Sequence, residues 1–313
     1  NINSTDSDGC TPLHYASKAG SVDIFTLLLE HGAQLKKKSK NGWNLLHFAA
    51  FSSSSLMIEK IMEVVSINPN APDRFNRIPL HYACETGSIN VVSSLLQLGS
   101  HLSHQDIDGR APIHFAAMSG NESLVKLLVK SGSPIYINDF SDQNPLHLAC
   151  SSGSVNTVRF LCNRYKKLMN QESKNGSTAL HYSSSFNSDS NKTITEFLLS
   201  KGIDVNKQNK FGITPLHCAA QNGCAETAVT LTQFGADINV LDKSSRSPLD
   251  VAIFGNEKEI VDLLVDKGAP VSRQSSAAYS RMSSANTSPC PSPKLIRMPI
   301  DVSLSAPLIL DQI

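Results

Sequence analysis

A four-residue pattern that recurs roughly every 33 residues constrains this chain more than any other feature. In its most regular form it reads Thr-Pro-Leu-His, at residues 11–14 and 214–217. Successive copies start 33, 34, 33, 33, 34, 36 and 33 residues apart. The six other copies lie at residues 44–47, 78–81, 111–114, 144–147, 178–181 and 247–250. Self-similarity at a fixed period of this length is typical of repeat architectures, in which one supersecondary unit is copied along the chain.

Each copy of the pattern predicts the start of a helix. Proline at the first helical position uses its fixed φ where no N–H bond is needed, and a preceding threonine is a natural N-cap. Leu13 and its equivalents are expected to face inward. A second apolar stripe follows, as in Ile24, Leu27 and Leu28, and then a glycine such as Gly32 that can take the left-handed C-cap. Each unit is therefore predicted to be a helix, a turn, a second helix and a glycine.

The period and the Thr-Pro-Leu-His core resemble the ankyrin-repeat family, whose unit is a turn followed by two antiparallel helices. The resemblance implies an all-α ankyrin-repeat solenoid of about eight helix-turn-helix units across residues 4–273. Because one helix pair has too little core to fold alone, each unit has to be stabilised by its neighbours. The predicted units are residues 4–37, 38–71, 72–104, 105–137, 138–170, 171–207, 208–240 and 241–273, the last being a capping repeat.

The two ends of the chain differ from the repeats. Residues 1–3, Asn-Ile-Asn, match the sequence with which later units end, and we interpret them as the end of a preceding repeat in a longer protein. Residues 274–313 are rich in serine and proline, a composition that predicts a disordered tail. That tail is expected to be either a short peptide ligand or a linker.

Composition narrows the expected partners and compartment. With 28 Lys and Arg against 27 Asp and Glu, the formal charge is +1, so no global field attracts nucleic acid. No apolar run approaches the ~20 residues of a transmembrane helix, and the seven cysteines include no Cys-x-x-Cys pair. We therefore expect a monomeric protein of the cytoplasm, or of the nucleus, that binds no nucleic acid and carries no membrane segment in this sequence.

No residue pattern in the sequence points to catalysis. Phosphate-binding, dinucleotide-binding, nucleophile-elbow and zinc-protease motifs do not occur. Seven histidines occupy the fourth position of the repeated pattern, where we expect them to bridge the backbones of turns; they are His14, His47, His81, His114, His147, His181 and His217. We therefore expect no enzyme activity, no catalytic, cofactor-binding or metal-binding residues, and no cofactor.

The resemblance also implies where a partner binds. Ankyrin-repeat proteins generally bind with the tips of their turns and the exposed side of the first helices, which together form a concave face. Aromatic and arginine side chains dominate the energy of interfaces, so we expect a partner with acidic and apolar groups. The predicted partner-binding residues are Trp43, Arg74, Phe75, Arg77, Ile107, Arg110, Met118, Phe140 and Phe211. The alternative for the four aromatic residues is that they pack on the adjacent tip.

Six residues are candidates for modification. Ser288 and Ser292 each precede a proline, as proline-directed kinases require. Ser276 and Ser284 each follow an arginine by three residues, as basophilic kinases prefer. Phosphorylation at these serines would add negative charge to the tail. Asn206 and Asn239 resemble asparagines that an asparaginyl hydroxylase modifies in some ankyrin-repeat proteins.

Three functions stay open at this point. The first is a non-catalytic scaffold or adaptor that binds a protein or peptide on the concave face. The second is a recruitment or regulatory arm of a larger enzyme or ion channel, because ankyrin arrays are found fused to kinases, ubiquitin ligases, acyltransferases and cation channels. The third is a nuclear transcriptional co-regulator similar to the inhibitors of Rel-type transcription factors, which only the serine- and proline-rich tail supports.

Overall fold

A computed structural model describes residues 1–284 of the 313-residue chain. Within these residues every regular element is a helix, which confirms the predicted all-α class. The chain divides into two compact units, Asn1–Phe140 and Ser141–Ile313. Unit one and unit two are each built from helix pairs, and every pair lies inside one of the eight predicted repeat ranges, whose exact bounds remain predictions.

The helices have the following bounds. Unit one contains α1 Pro12–Ala19, α2 Val22–Glu30, α3 Leu45–Ala49, α4 Ser55–Val64, α5 Pro79–Glu85, α6 Ile89–Gln97, α7 Pro112–Met118 and α8 Glu122–Lys130. Unit two contains α9 Pro145–Ser151, α10 Val155–Arg164, α11 Ala179–Ser183, α12 Asp189–Ser200, α13 Pro215–Gln221, α14 Ala225–Gln233, α15 Pro248–Gly255, α16 Lys258–Asp266 and α17 Ser276–Ser284. A 3₁₀ turn, Lys166–Asn170, follows α10.

The repeated histidine ties a first helix to the backbone of the next turn or to the residue two positions before that turn. In His47, Nδ1 accepts the N–H of Asn44 at 3.2 Å and Nε2 donates to the carbonyl of Arg77 at 3.1 Å. His181 makes the same two bonds, with Thr178 at 3.1 Å and Ile213 at 3.0 Å. Burial lowers the pKa of both imidazoles to about 4. These histidines are therefore neutral structural bridges, as predicted.

The apolar stripe predicted for α2 is wrong. Ile24 and Leu27 are each 54% exposed, whereas Phe25 is fully buried. Val91 and Leu95 of α6, which stand where α2 has Ile24 and Leu28, are buried because α4 and α8 pack on its two sides. In the described chain, α4 packs against α2 but no helix packs on its other side, where the second helix of a preceding repeat would lie.

The segment predicted to be disordered begins with a helix. α17 packs against α15 of the last repeat. Ser275, which is fully buried, donates from Oγ to Asp250 Oδ1 at 2.6 Å. Asp250 stands where the other repeats have histidine, and its Oδ2 accepts from the N–H and Oγ of Ser247 at 2.9 and 2.8 Å. The prediction of disorder is therefore wrong for residues 276–284, and the rest of the predicted tail lies outside the described residues.

Candidate partner-binding site

Each helix pair is preceded by a five-residue turn, and we number its positions 1 to 5. The eight turns are residues 6–10, 39–43, 73–77, 106–110, 139–143, 173–177, 209–213 and 242–246. In the third turn the N–H of Asp73 donates to the carbonyl of Arg77 at 2.9 Å. Position 4 has a positive φ, which glycine adopts easily and which Asn76 adopts here at 56°. Position 4 therefore reverses the chain in the same way in each repeat.

The side chain at position 1 sets the direction of the rest of the turn. Asp73 Oδ1 accepts the N–H of Phe75 at 2.8 Å and that of Arg77 at 2.9 Å. Asp106 Oδ1 accepts from Asp108 and Arg110 at 3.0 and 2.9 Å in the next turn. These bonds pull position 5 back toward the helices. Its side chain consequently faces inward, while positions 2 and 3 stay at the tip.

Successive tips are joined by backbone hydrogen bonds. The N–H at position 2 donates to the carbonyl at position 3 of the preceding turn, as in Ile107 to Phe75 at 3.0 Å and Phe140 to Asp108 at 2.9 Å. Within each unit, the side chains at position 2 therefore stand in a row, which we call the tip row. We count as its members the seven residues whose N–H makes this bond, and all are exposed: Lys40, Arg74, Ile107 and Phe140 in unit one and Lys174, Lys210 and Lys243 in unit two.

Seven of the nine predicted partner-binding residues have an accessible surface. Ile107 is 55% and Phe140 65% exposed. Arg74 and Phe211 are also exposed, while Trp43, Phe75 and Met118 are half-buried.

Part of the Phe140 ring packs on the adjacent tip. A Cβ at Gly109 would lie 2.5 Å from Phe140 Cδ1, so the glycine makes room for the ring. The contact with Gly109 thus holds the Phe140 ring in place, and the ring still presents most of its surface to solvent.

Arg77 and Arg110 do not reach the surface, and the prediction that they contact a partner is wrong. They are 3% and 2% exposed. Arg77 Nε lies 3.0 Å from Asp106 Oδ2, and Arg110 Nε lies 3.6 Å from Asp139 Oδ2. Both arginines occupy position 5, which faces inward, and each pairs with the position 1 carboxylate of the next turn.

Trp43 also occupies position 5 and is held by its neighbours. Its Nε1 donates to Asp73 Oδ2 at 2.8 Å, and the same oxygen accepts from the phenol of Tyr82 at 2.5 Å. The indole stacks on Phe51 with ring centres 5.3 Å apart and meets Phe48 edge-on at 5.3 Å. Trp43 is therefore a half-buried member of an aromatic cluster rather than a free anchor.

The comparisons with known proteins identify the family of the chain. A family model described as ankyrin repeats in three copies matches residues 1–73, 56–139, 133–209 and 189–275. The chain belongs to the ankyrin-repeat family. The human ASB11 ankyrin repeat domain has a similar fold, with a TM-score of 0.57 and 21% identity over 84% of this chain and 100% of that one. The family match and this likeness confirm the predicted ankyrin-repeat solenoid.

Curated relatives of this ankyrin-repeat chain carry varied names. The B-cell lymphoma 3 protein homolog of Mus musculus is 36% identical over 115 residues, which are 36% of this chain and 26% of that protein. The palmitoyltransferase AKR1 of Kluyveromyces lactis is 32% identical over 102 residues, or 32% of this chain and 14% of that protein. The α-latrotoxin-Lh1a of Latrodectus hasselti is 34% identical over 87 residues, or 28% of this chain and 6% of that protein. The chain thus spans about a quarter or less of the length of these relatives, and ankyrin repeats as such indicate protein–protein interaction.

The candidate modification sites differ in their surroundings. Ser276 is exposed at the first residue of α17, and Ser284 is the last residue of that helix. Asn206 donates from Nδ2 to the carbonyl of Gly235 at 3.2 Å, and its Oδ1 accepts from the N–H of Asp237 at 2.8 Å. This amide therefore links the ends of two repeats. Asn239 is exposed, and Ser288 and Ser292 lie outside the described residues.

Residues 1–284 contain no group of three or more His, Cys, Asp or Glu side chains that could hold a metal ion. No helix among them has the length and apolar character needed to cross a bilayer. Their six cysteines are free and buried. Burial raises the pKa of the Cys162 and Cys218 thiols to about 12. These two thiols are therefore protonated at neutral pH and are poor nucleophiles.

Proposed function

We propose that this ankyrin-repeat protein is a non-catalytic adaptor that holds another protein along its tip row. The observation that carries the proposal is the row itself, in which backbone bonds keep position 2 side chains exposed and in register from one repeat to the next. The backbone that carries these side chains is already ordered, so little of its conformational freedom is lost when a partner binds. This favours affinity.

The tip row of unit one supplies an apolar centre for this interface. Ile107 and Phe140 stand on adjacent tips and are both more than half exposed. Phe75 lies beside Ile107 through the backbone bond between them, and Arg74 precedes Phe75. Aromatic and arginine residues around a desolvated centre are the usual anchors of protein interfaces. We expect the partner to insert an apolar side chain between Ile107 and Phe140 and to place an acidic group near Arg74.

The test compares two double variants of the full chain in affinity purification from cells with quantitative mass spectrometry. Ile107→Ser with Phe140→Ser removes the apolar tips. Ile24→Ser with Leu56→Ser removes a matched amount of exposed apolar surface from the second helices α2 and α4 of unit one.

We expect the tip variant to lose a specific partner by a factor of about ten or more, since interface anchors often contribute about 2 kcal/mol each, and the control to retain it. Circular dichroism checks that both variants fold. If every captured protein survives the tip substitutions, the tip row of unit one does not bind a partner.

Two other functions remain proposals: an arm of a larger enzyme or ion channel, and a nuclear transcriptional co-regulator. No specific observation favours either. One relative is named as a palmitoyltransferase, which is consistent with an arm of a larger enzyme, but the match covers only 14% of that protein. We further propose a monomer in the cytoplasm or nucleus. The six free cysteines support a reducing compartment. Cell fractionation and sedimentation equilibrium test these two points.

A further inference from the structure

We propose that the tip row of unit two binds an acidic, extended polypeptide segment, with carboxylates of that segment on Lys174, Lys210 and Lys243. The inference rests on the proposed function and adds the chemistry of the partner. In unit one the tip row carries Lys, Arg, Ile and Phe, whereas all three of its described positions in unit two are lysine.

The three lysines are held in a fixed row. The N–H of Lys210 donates to Asn175, and that of Lys243 to Phe211, both at 2.9 Å. The tips are stacked closely, because a Cβ at Gly212 would lie 2.8 Å from the backbone N of Lys243. The ammonium group of Lys210 also reaches back to the carbonyl of Lys174 at 2.6 Å. The backbone bonds therefore set the spacing of the three residues that carry the charges.

The positive charge of this row is not neutralised within the described chain. None of the three lysines forms an ion pair in residues 1–284. Two nearby carboxylates have other partners, since Asp242 is bound by Arg246 at 2.7 Å and Glu172 by Lys207 at 2.8 Å. A row of like charges that lacks its own counter-ions attracts an acidic ligand.

The spacing of the repeats suggests the form of that ligand. Packed helices lie about 10 Å apart, and an extended chain advances about 3.3 Å per residue. Carboxylates three residues apart can therefore follow the row. Phe211 and Leu241 are exposed beside it, and Gln208 joins Gly212, the neighbour of Phe211, to Leu241 by donating to their carbonyls at 3.0 and 3.1 Å. The residues between the carboxylates should accordingly be apolar.

A protein segment suits this surface better than a nucleic acid. A phosphate backbone draws most of its affinity from many cations at once, and the whole chain carries a formal charge of only +1. The row offers three lysines with apolar side chains beside them, which is the pattern that an acidic and apolar peptide complements. Binding of a nucleic acid instead is one of the outcomes that the test distinguishes.

The experiment measures fluorescence anisotropy of a labelled 12-residue peptide, four repeats of Glu-Leu-Gly, titrated with the full chain at low and moderate salt. The row variant carries Lys174→Gln, Lys210→Gln and Lys243→Gln, which together remove the three positive charges of the row. The control variant removes an equal charge from exposed lysines of unit two outside the turns, with Lys166→Gln, Lys258→Gln and Lys267→Gln.

We expect the row variant to bind about tenfold more weakly, since exposed ion pairs contribute about twofold each, and the control to bind like the wild type. Added salt should weaken wild-type binding.

Three results would overturn the inference: no binding by the wild type, an equal loss in the control, or equally tight, row-dependent binding of a single-stranded oligonucleotide. The capture experiment with the unit one variant separates this outcome from the proposed function. If the tip-dependent partner of unit one persists while the peptide fails to bind, the adaptor function stands and the acidic ligand does not.

Discussion

The two units join their consecutive turns with different chemistry. In unit one, position 5 of a turn and position 1 of the next form a buried ion pair, Arg77 with Asp106, at 3.0 Å. In unit two, the equivalent residues are Ser177 and Asn209, and the amide of Asn209 donates to the hydroxyl of Ser177 at 3.1 Å. Both arrangements join consecutive turns, so this junction of the repeat does not require a charge.

The difference has a consequence for stability. A buried ion pair costs desolvation energy when it forms, and loss of one partner leaves a charge buried without compensation. A neutral hydrogen bond between buried groups contributes less, typically about 1 kcal/mol. Arg77 should therefore tolerate substitution much less than Ser177, although neither side chain is on the surface.

The largest expected effect comes from Arg77→Ala. The substitution leaves the carboxylate of Asp106 buried without its cation, so we expect the free energy of unfolding of unit one to fall by about 3–5 kcal/mol. Urea unfolding followed by the fluorescence of Trp43, the only tryptophan, measures this loss in unit one. The matched variant Ser177→Ala should reduce the stability of unit two by about 1 kcal/mol, measured by hydrogen exchange. Equal losses would contradict the comparison.

Acid should weaken the histidine bridges before it affects the last repeat. Burial lowers the pKa of His47 to about 4 and that of His81 to about 3, and it also lowers the pKa of His14. The unfolded chain takes up protons below about pH 6.5, whereas these folded histidines stay neutral. Stability is thus complete above pH 6.5 and decreases as the pH falls toward 4.

By pH 5.5 His47 and His81 should each cost unit one about 1 kcal/mol. Burial opposes ionisation of Asp250 in the last repeat, but hydrogen bonds from Ser272, Ser275 and Ser247 together outweigh it and lower the pKa of Asp250. The contribution of Asp250 is therefore present above about pH 4 and lost only in stronger acid. Urea midpoints at pH 7.5 and 5.5, again read from Trp43, measure the change, and equal midpoints would exclude it.

The smallest expected effect concerns Asp250. Its buried carboxylate is held by hydroxyl groups rather than by a cation, so it extends the comparison. Ser275→Ala removes the donor to Asp250 Oδ1, and we expect a loss of about 1 kcal/mol. Because this bond joins α17 to α15, amide exchange should accelerate in residues 276–284. Ser276→Ala is the control, since that side chain is exposed. Unchanged exchange in Ser275→Ala would show that other contacts hold α17.

Local chemistry made the repeats predictable. Threonine, proline and histidine at fixed positions determine where each first helix begins and how its turn is tied, and these interactions occur within a few residues or one period. The direction of the turn residues was harder to predict. Arg77 and Arg110 resemble surface anchors by residue type, but the positive φ at position 4 and the bonds to position 1 turn them inward.

The sequence did hold a signal for this, because Asp at position 1 recurs with Arg at position 5 in residues 73–77, 106–110 and 242–246. A pairing that repeats with the period of the fold indicates a structural role. The helix at residues 276–284 carried no comparable signal. Its serine-rich sequence has modest helix propensity, and its packing depends on Asp250, which lies 25 residues before Ser275.

The backbone origin of the tip row bears on how such a protein can acquire new binding partners. Because backbone N–H and carbonyl groups align the row, almost any side chain except proline can occupy its positions without disturbing the core. Seven separate single-residue changes, at Lys40, Arg74, Ile107, Phe140, Lys174, Lys210 and Lys243, are thus open to evolution or engineering. An insertion within a turn would instead break the register of the row, so diversity should accumulate there by substitution rather than by changes in length.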